Sequence, residues 1–176
     1  MLNLIQLRTK GNILLKGLVF LTLTLPVSSV TIASEPTAEQ SAITQLQTAL
    51  NTNKGKVIYV DFWASWCKPC RQSFPWMNQM KRKYGAEGLK IITVNLDKEH
   101  QLAEQFLKEN PADFQIIFDP KGETAEKFAL QGMPMSFVFD RNGKPQFSHV
   151  GFITKKIPQY ESELNQLLKT KGEGHE

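Results

Sequence analysis

Two cysteines, Cys67 and Cys70, are the only thiols in the chain, and two residues separate them. A pair cannot build a four-thiolate zinc site, and no histidine stands at finger spacing from it. Arg71 follows directly, so the C-x-x-C-H pattern of covalent haem attachment is absent. What remains is thiol–disulfide chemistry. An apolar run, Val57 to Trp63, precedes the pair and a helical pattern follows it. Cys67 therefore falls in the first turn of a helix, where free backbone N–H groups carry partial positive charge and stabilise a thiolate. Lys68 adds a cation beside it. A lowered thiol pKa makes Cys67 the nucleophile, and Cys70, one turn deeper, is the resolving thiol. Pro69 suits a first turn, where no N–H is needed. A static disulfide is the competing expectation, but a staple across two residues closes too small a loop to constrain much.

Asp61 and Pro134 are the other two residues that stand out. Asp61 interrupts the apolar run two residues before Trp63 and shares its face, which points it into the structure beneath the cysteines. A buried carboxyl has a raised pKa and can accept the proton of the resolving thiol. Pro134 lies in Gly132-Met133-Pro134, just ahead of another apolar run. A cis bond there would offer the Met133 backbone as a short edge for a substrate strand.

The elements that must position these residues follow from hydrophobic period. The expected order is a helix over Ala38–Asn53, a buried strand over Val57–Trp63 and a helix over Pro69–Tyr84 that contains Pro75. A second buried strand is expected over Leu89–Leu96, a helix over Glu99–Lys108 and a short strand over Gln115–Phe118. Then come a short helix over Glu123–Leu130, strands Ser136–Asp140 and Gln146–Val150 around the hairpin signal Asp140-Arg141-Asn142-Gly143, and a closing helix over Ile157–Leu168. Strands alternating with helices imply a parallel sheet, and the hairpin adds an antiparallel part.

The ends and the charge set the context. Residues 1–34 carry three of the 21 basic residues and none of the 17 acidic ones, so the rest of the chain is within one charge of neutral. That balance gives no compositional case for nucleic-acid binding. The same 34 residues run from basic through apolar (Leu18–Leu25) to small (Thr31-Ile32-Ala33), the plan of a signal peptide. Kept in place, the uncharged stretch Gly17–Ser34 would be a membrane anchor. Either reading exports residues 35–176 to an oxidising compartment, where disulfides persist.

The stretch from Val60 through Trp66-Cys67-Lys68-Pro69-Cys70, with the Met133-Pro134 site, closely resembles the thioredoxin family. More narrowly, Phe118 to Gly122, Gly132 to Pro134 and Phe137 to Asp140 resemble the exported TlpA/ResA-like disulfide reductases. The resemblance implies an α/β thioredoxin-like fold: a central mixed sheet flanked by helices, with an extra N-terminal helix and a helix–strand insertion before the cis-proline loop. It implies Cys67 as attacking thiol, Cys70 as resolving thiol and Pro134 as the cis-proline, with Trp66, Lys68, Pro69 and Met133 lining the substrate contact. It implies no separate cofactor, the Cys67–Cys70 disulfide being the redox centre itself. It further implies protein disulfides as clients, a membrane electron donor of the DsbD/CcdA type, and work in cytochrome c maturation or copper-site assembly.

Three positions depart from the family pattern: Ser73 stands where many relatives have Glu, Asp61 is present where they often lack the thioredoxin-like Asp, and Met135 stands where Thr is usual. Lys68-Pro69 resembles the dipeptide of reducing thioredoxins more than the Pro-His of strong oxidants, which favours reduction, since the dipeptide tunes the potential. A disulfide-forming oxidase is the alternative direction. A Cu(I) module using Met77, Met80, Met133 and Met135 is the alternative class, against which methionines are commoner as core filler. His100, His149 and His175 are read as exposed or structural.

Overall fold

The computed structural model describes residues 40–170; the leader and its processing fall outside them. Five strands form one sheet in the order β3-β2-β1-β4-β5. β1 (Val57–Trp63) lies at its centre, parallel to β2 (Leu89–Asn95) and antiparallel to β4 (Met135–Phe139). β3 (Gln115–Phe118) extends the parallel half, and β5 (Pro145–Val150) closes the other edge as a hairpin with β4. The sheet is mixed, as the alternation and the hairpin signal imply.

All seven residues of β1 are buried because both faces are covered. Tyr59 and Trp63 face a core shared with Phe74, Met77 and Met80 of α2 (Lys68–Tyr84), Phe106 of α3 (His100–Glu109) and Leu164 of α5 (Ile157–Lys169). Ile58, Val60 and Phe62 face the opposite core, closed by Ala42, Leu46 and Ala49 of α1 (Ala42–Thr52). The fourth helix, α4 (Glu123–Lys127), packs on that second side near α1 through its flanking Phe128.

Several element ends differ from the sequence expectation by a few residues, for local reasons. α1 starts at Ala42 because the Ser41 side chain caps it, accepting from the Thr44 N–H at 3.3 Å. α4 stops at Lys127 because Ala129 adopts a left-handed φ of 49°. A 3₁₀ turn, Thr154–Lys156, which hydrophobic period does not signal, leads into α5. α2 runs through Pro75, which stands on its exposed side. The basic run Lys81-Arg82-Lys83 occupies the last turn of α2, where cations complement the helix dipole. Lys81 also reaches Asp113 at 3.3 Å, and Lys83 pairs with Glu161.

Candidate functional site

The site is built at the C-terminal end of β1. The chain leaves the sheet at Trp63, turns, and enters α2 with Cys67 as the N-cap. The turn is tied by the Cys67 N–H donating to Ala64 O at 3.1 Å. Cys67 Sγ accepts from the Cys70 N–H at 3.3 Å, so the sulfur occupies the place of a capping oxygen. The two sulfurs form a disulfide across a Cα–Cα distance of 5.3 Å. Cys70 is fully buried, and Cys67 is 5% exposed. Cys67 thus keeps a little exposure where Cys70 has none.

The residues flanking the disulfide differ in exposure. Trp66 is 68% exposed, a large apolar ring left in water beside Cys67. Lys68 is exposed and Pro69 half-buried in the first turn. The Met133–Pro134 peptide is cis. Pro134 precedes Met135, which pairs with Phe62 near the end of β1, so the proline loop and the cysteines share one end of the sheet. Pro134 O accepts from the Gly151 N–H at 2.7 Å, which anchors the loop to the end of β5. Met133 is half-buried against the core. Met77 and Met80 lie wholly within that core as packing residues. Among the described residues no cluster of three His, Cys, Asp or Glu side chains is arranged to hold a metal.

Asp61 sits in the middle of β1, on the face that α2 covers, and is 1% exposed. Burial raises its pKa well above the usual carboxylate range. Its Oδ2 has no hydrogen-bond partner. Tyr59, two residues earlier on the same face, is raised first by burial and then by the charge of Asp61. Ser73 is buried and donates to Cys70 O at 2.8 Å. It satisfies a backbone carbonyl and carries no charge toward the thiols.

One cluster escaped the sequence reading. Asp97, 2% exposed, accepts from the Ser65 N–H at 2.9 Å, from Ser65 Oγ at 3.0 Å and from Asn95 Nδ2 at 2.7 Å. Asn95 Oδ1 in turn accepts from the Asp97 N–H at 3.1 Å. The end of β2 thereby holds the loop that carries Trp66 and Cys67. Its only sequence signal is an Asn-x-Asp at the end of a buried strand, which by itself reads as a turn.

A C-x-x-C disulfide capping a helix at the end of a central parallel strand, faced by a cis-proline loop, defines the thioredoxin fold with a TlpA/ResA-like site. A family model described as Redoxin matches residues 30–172, and the chain belongs to that family. The thiol-disulfide oxidoreductase ResA of Bacillus thuringiensis is 34% identical over 91 residues, 52% of this chain and 53% of that protein. The chain thus spans about half the length of the ResA proteins it matches. The thioredoxin-like protein YneN of Bacillus subtilis is 33% identical over 122 residues, 68% of this chain and 71% of YneN. A Chlorobium tepidum crystal structure, provisionally named thiol:disulfide interchange protein DsbE, is 50% identical with a TM-score of 0.66, covering 68% of this chain and 84% of that one.

Proposed function

We propose that this chain is an exported thiol–disulfide oxidoreductase that reduces protein disulfides. The observation that carries the reading is the Cys67–Cys70 disulfide at the N-terminus of α2, its outer sulfur beside an exposed tryptophan. The names of the ResA and DsbE relatives support the thiol–disulfide chemistry.

In the reduced protein the Cys67 thiolate attacks one sulfur of a client disulfide. A mixed disulfide forms between Cys67 and the client, and the other client sulfur leaves as a thiolate that takes a proton from water. Cys70–SH then gives its proton to the Asp61 carboxylate. The Cys70 thiolate attacks Cys67 Sγ, closing the Cys67–Cys70 disulfide and releasing the second client thiolate. Two electrons pass to the client, and a donor dithiol must return two to the protein. Trp66, Lys68, Pro69, Met133 and Pro134 contact the client during the exchange.

The leader's signal-peptide pattern supports work outside the cytoplasm, with residues 1–34 either removed or kept as a membrane tether. In that compartment the donor is a membrane protein of the DsbD/CcdA type. The clients belong to cytochrome c maturation or copper-site assembly.

The test is the equilibrium potential of the Cys67–Cys70 couple. A value of about −220 mV or lower agrees with a reductase, since thioredoxin lies near about −270 mV. A value near about −120 mV, that of a strong oxidant, overturns the direction of electron flow. With an aromatic disulfide reagent the reduced protein releases two chromophore thiolates in sequence, and Cys70→Ser abolishes the second release. Cys67→Ser, which leaves Cys70 as the sole thiol, releases its single thiolate much more slowly than Cys70→Ser does; equal single-release rates in the two variants would overturn the assigned roles.

A further inference from the structure

The face beneath α2 and α5 holds more polar chemistry than thiol exchange alone requires. In register across the sheet, Asp61 on β1 stands opposite Ser136 on β4, and Ser136 stands opposite His149 on β5. Directly opposed residues of antiparallel strands share a face, with Cβ atoms about 5 Å apart. The three side chains therefore form one row from the centre of the sheet to its edge. Exposure rises along the row: 1% at Asp61, 4% at Ser136 and 15% at the His149 side chain.

α5 completes the outer end. Glu163 Oε2 lies 2.7 Å from His149 Nε2, and Gln159 Nε2 donates to Glu163 Oε1 at 2.9 Å. The Tyr160 ring packs against the imidazole with centroids 4.7 Å apart. At the inner end Tyr59 stands beside Asp61 on the same face and diagonal to Ser136. Burial first, and then the charges of Asp61, Tyr160 and Glu163, oppose ionisation of the Tyr59 phenol, while the Ser136 hydroxyl favours it. The hydroxyls of Ser136 and Tyr59 rotate and can both donate and accept. Asp61 Oδ2 is held by no fixed partner.

The other directions away from Asp61 are closed. Toward β2 the neighbour is Thr93, fully buried, whose hydroxyl accepts from Trp63 Nε1 at 3.2 Å. The core on this face holds Trp63 of β1 with Cys70, Phe74 and Trp76 of α2, each 5% exposed or less. The groups able to titrate around Asp61 are thus Cys70 in the reduced protein, Tyr59, Tyr160, and the His149–Glu163 pair.

The geometry points to this row as the route by which Asp61 exchanges its proton with solvent, with the Ser136 and Tyr59 hydroxyls as inner stations and the His149–Glu163 pair as outlet. It rests on the reading that Asp61 takes the proton of Cys70. Each turnover leaves one proton on the Asp61 carboxyl, while the electron pair goes to the client disulfide. When the donor opens the disulfide the carboxyl can return that proton to the Cys70 thiolate; while the protein stays oxidised, the row is what equilibrates it with solvent. The carboxyl gives its proton to a hydroxyl oxygen, which passes its own on to the imidazole. The Glu163 carboxylate stabilises the imidazolium, which releases the proton to water. His149 and Glu163 are positioning residues for this exchange and touch neither client nor sulfur.

The experiment is an upward pH jump on the oxidised full-length protein, following the protonated-carboxyl infrared band that Asp61→Asn removes. At low buffer concentration, Ser136→Ala and His149→Gly each slow the loss of the band by about tenfold or more, a modest share of what a placed acid–base group provides. The equilibrium titration of the band still shows Asp61 losing its proton in both variants. Added imidazole restores the rate in His149→Gly and leaves Ser136→Ala slow, a rescue that a purely structural role would not give. Tyr59→Phe, which keeps the ring and its packing, tests the phenol separately from the fold. Wild-type rates in both the Ser136 and His149 variants, or no response of His149→Gly to imidazole, would overturn the route. Failure of the oxidoreductase reading is seen elsewhere, as loss of the Cys70-dependent second release in the wild-type protein, and leaves these exchange rates readable.

Discussion

Asp61 is a carboxyl group buried in a strand with no cation beside it, and its protonation is coupled to folding. Burial alone raises its folded-state pKa well above the unfolded value. Below the unfolded pKa both states hold the proton, and the carboxyl carries no ionic penalty. Between the two values the unfolded chain loses the proton and the folded one keeps it. Stability then falls as pH rises, by up to about 1.4 kcal/mol per pH unit, and the loss is complete above the folded pKa. Asp61→Asn removes that slope. In urea unfolding of the oxidised protein the variant is expected to exceed wild type at neutral pH, with the gap closing toward about pH 4, where the free carboxyl also holds its proton. Equal slopes in the two proteins would mean that Asp61 is solvated. This residue was legible in the sequence because a charge inside Val57–Trp63 breaks an otherwise apolar pattern. His149 was not, because its partner Glu163 is 14 positions away and comes to it only through the packing of α5 on β5.

At the scale of elements, hydrophobic period located every strand and α-helix, and β1 matched residue for residue. The ends of elements were less legible, since capping side chains and positive φ values decide them and neither affects the period. The support of the site was least legible of all. Asp97 holds Ser65 across 32 positions, a contact that exists only once β1 and β2 pair in parallel. That clamp joins the end of β2 to the loop entering α2, so it governs how firmly Trp66 and Cys67 are presented. Asp97→Ala removes three accepted hydrogen bonds and leaves the Ser65 N–H and the Asn95 amide without their acceptor. A cost of about 3 kcal/mol is expected, at the scale of buried bonds to a charged group. Chemical denaturation measures the stability, and the first thiolate release of the reduced protein measures presentation, expected to slow. A variant that loses stability with an unchanged first release would show that the loop keeps its shape without the clamp.

The whole molecule separates its chemistry from its fastening. The cysteines and the proline loop lie at the C-terminal end of β1, whereas β4 runs antiparallel and delivers Arg141 to the opposite end, beyond the pairing of Phe139 with Ile58. There the guanidinium donates to four backbone carbonyls: Gly55 at 2.8 Å, Glu87 at 3.1 Å, Leu168 at 3.0 Å and Thr170 at 3.0 Å. These carbonyls belong to the α1–β1 turn, the α2–β2 turn and the end of α5, so one side chain ties together three segments far apart in sequence. Gly88 keeps this crossing open, since a Cβ there would stand 2.9 Å from Arg141 Nη1, and its φ of 101° suits glycine. A lysine has one ammonium where the guanidinium has a planar fork, and it cannot reach all four carbonyls. Arg141→Lys is therefore expected to cost about 2 kcal/mol, discounted because three of the four bonds are exposed. The same variant should leave the Cys67–Cys70 potential and the Asp61 titration at wild-type values, because the sheet keeps its register between the two ends. Thermal unfolding and thiol equilibration on one preparation decide the matter. A shift of the potential in Arg141→Lys would show that the far end of the sheet is coupled to the cysteines and that the two ends do not act independently.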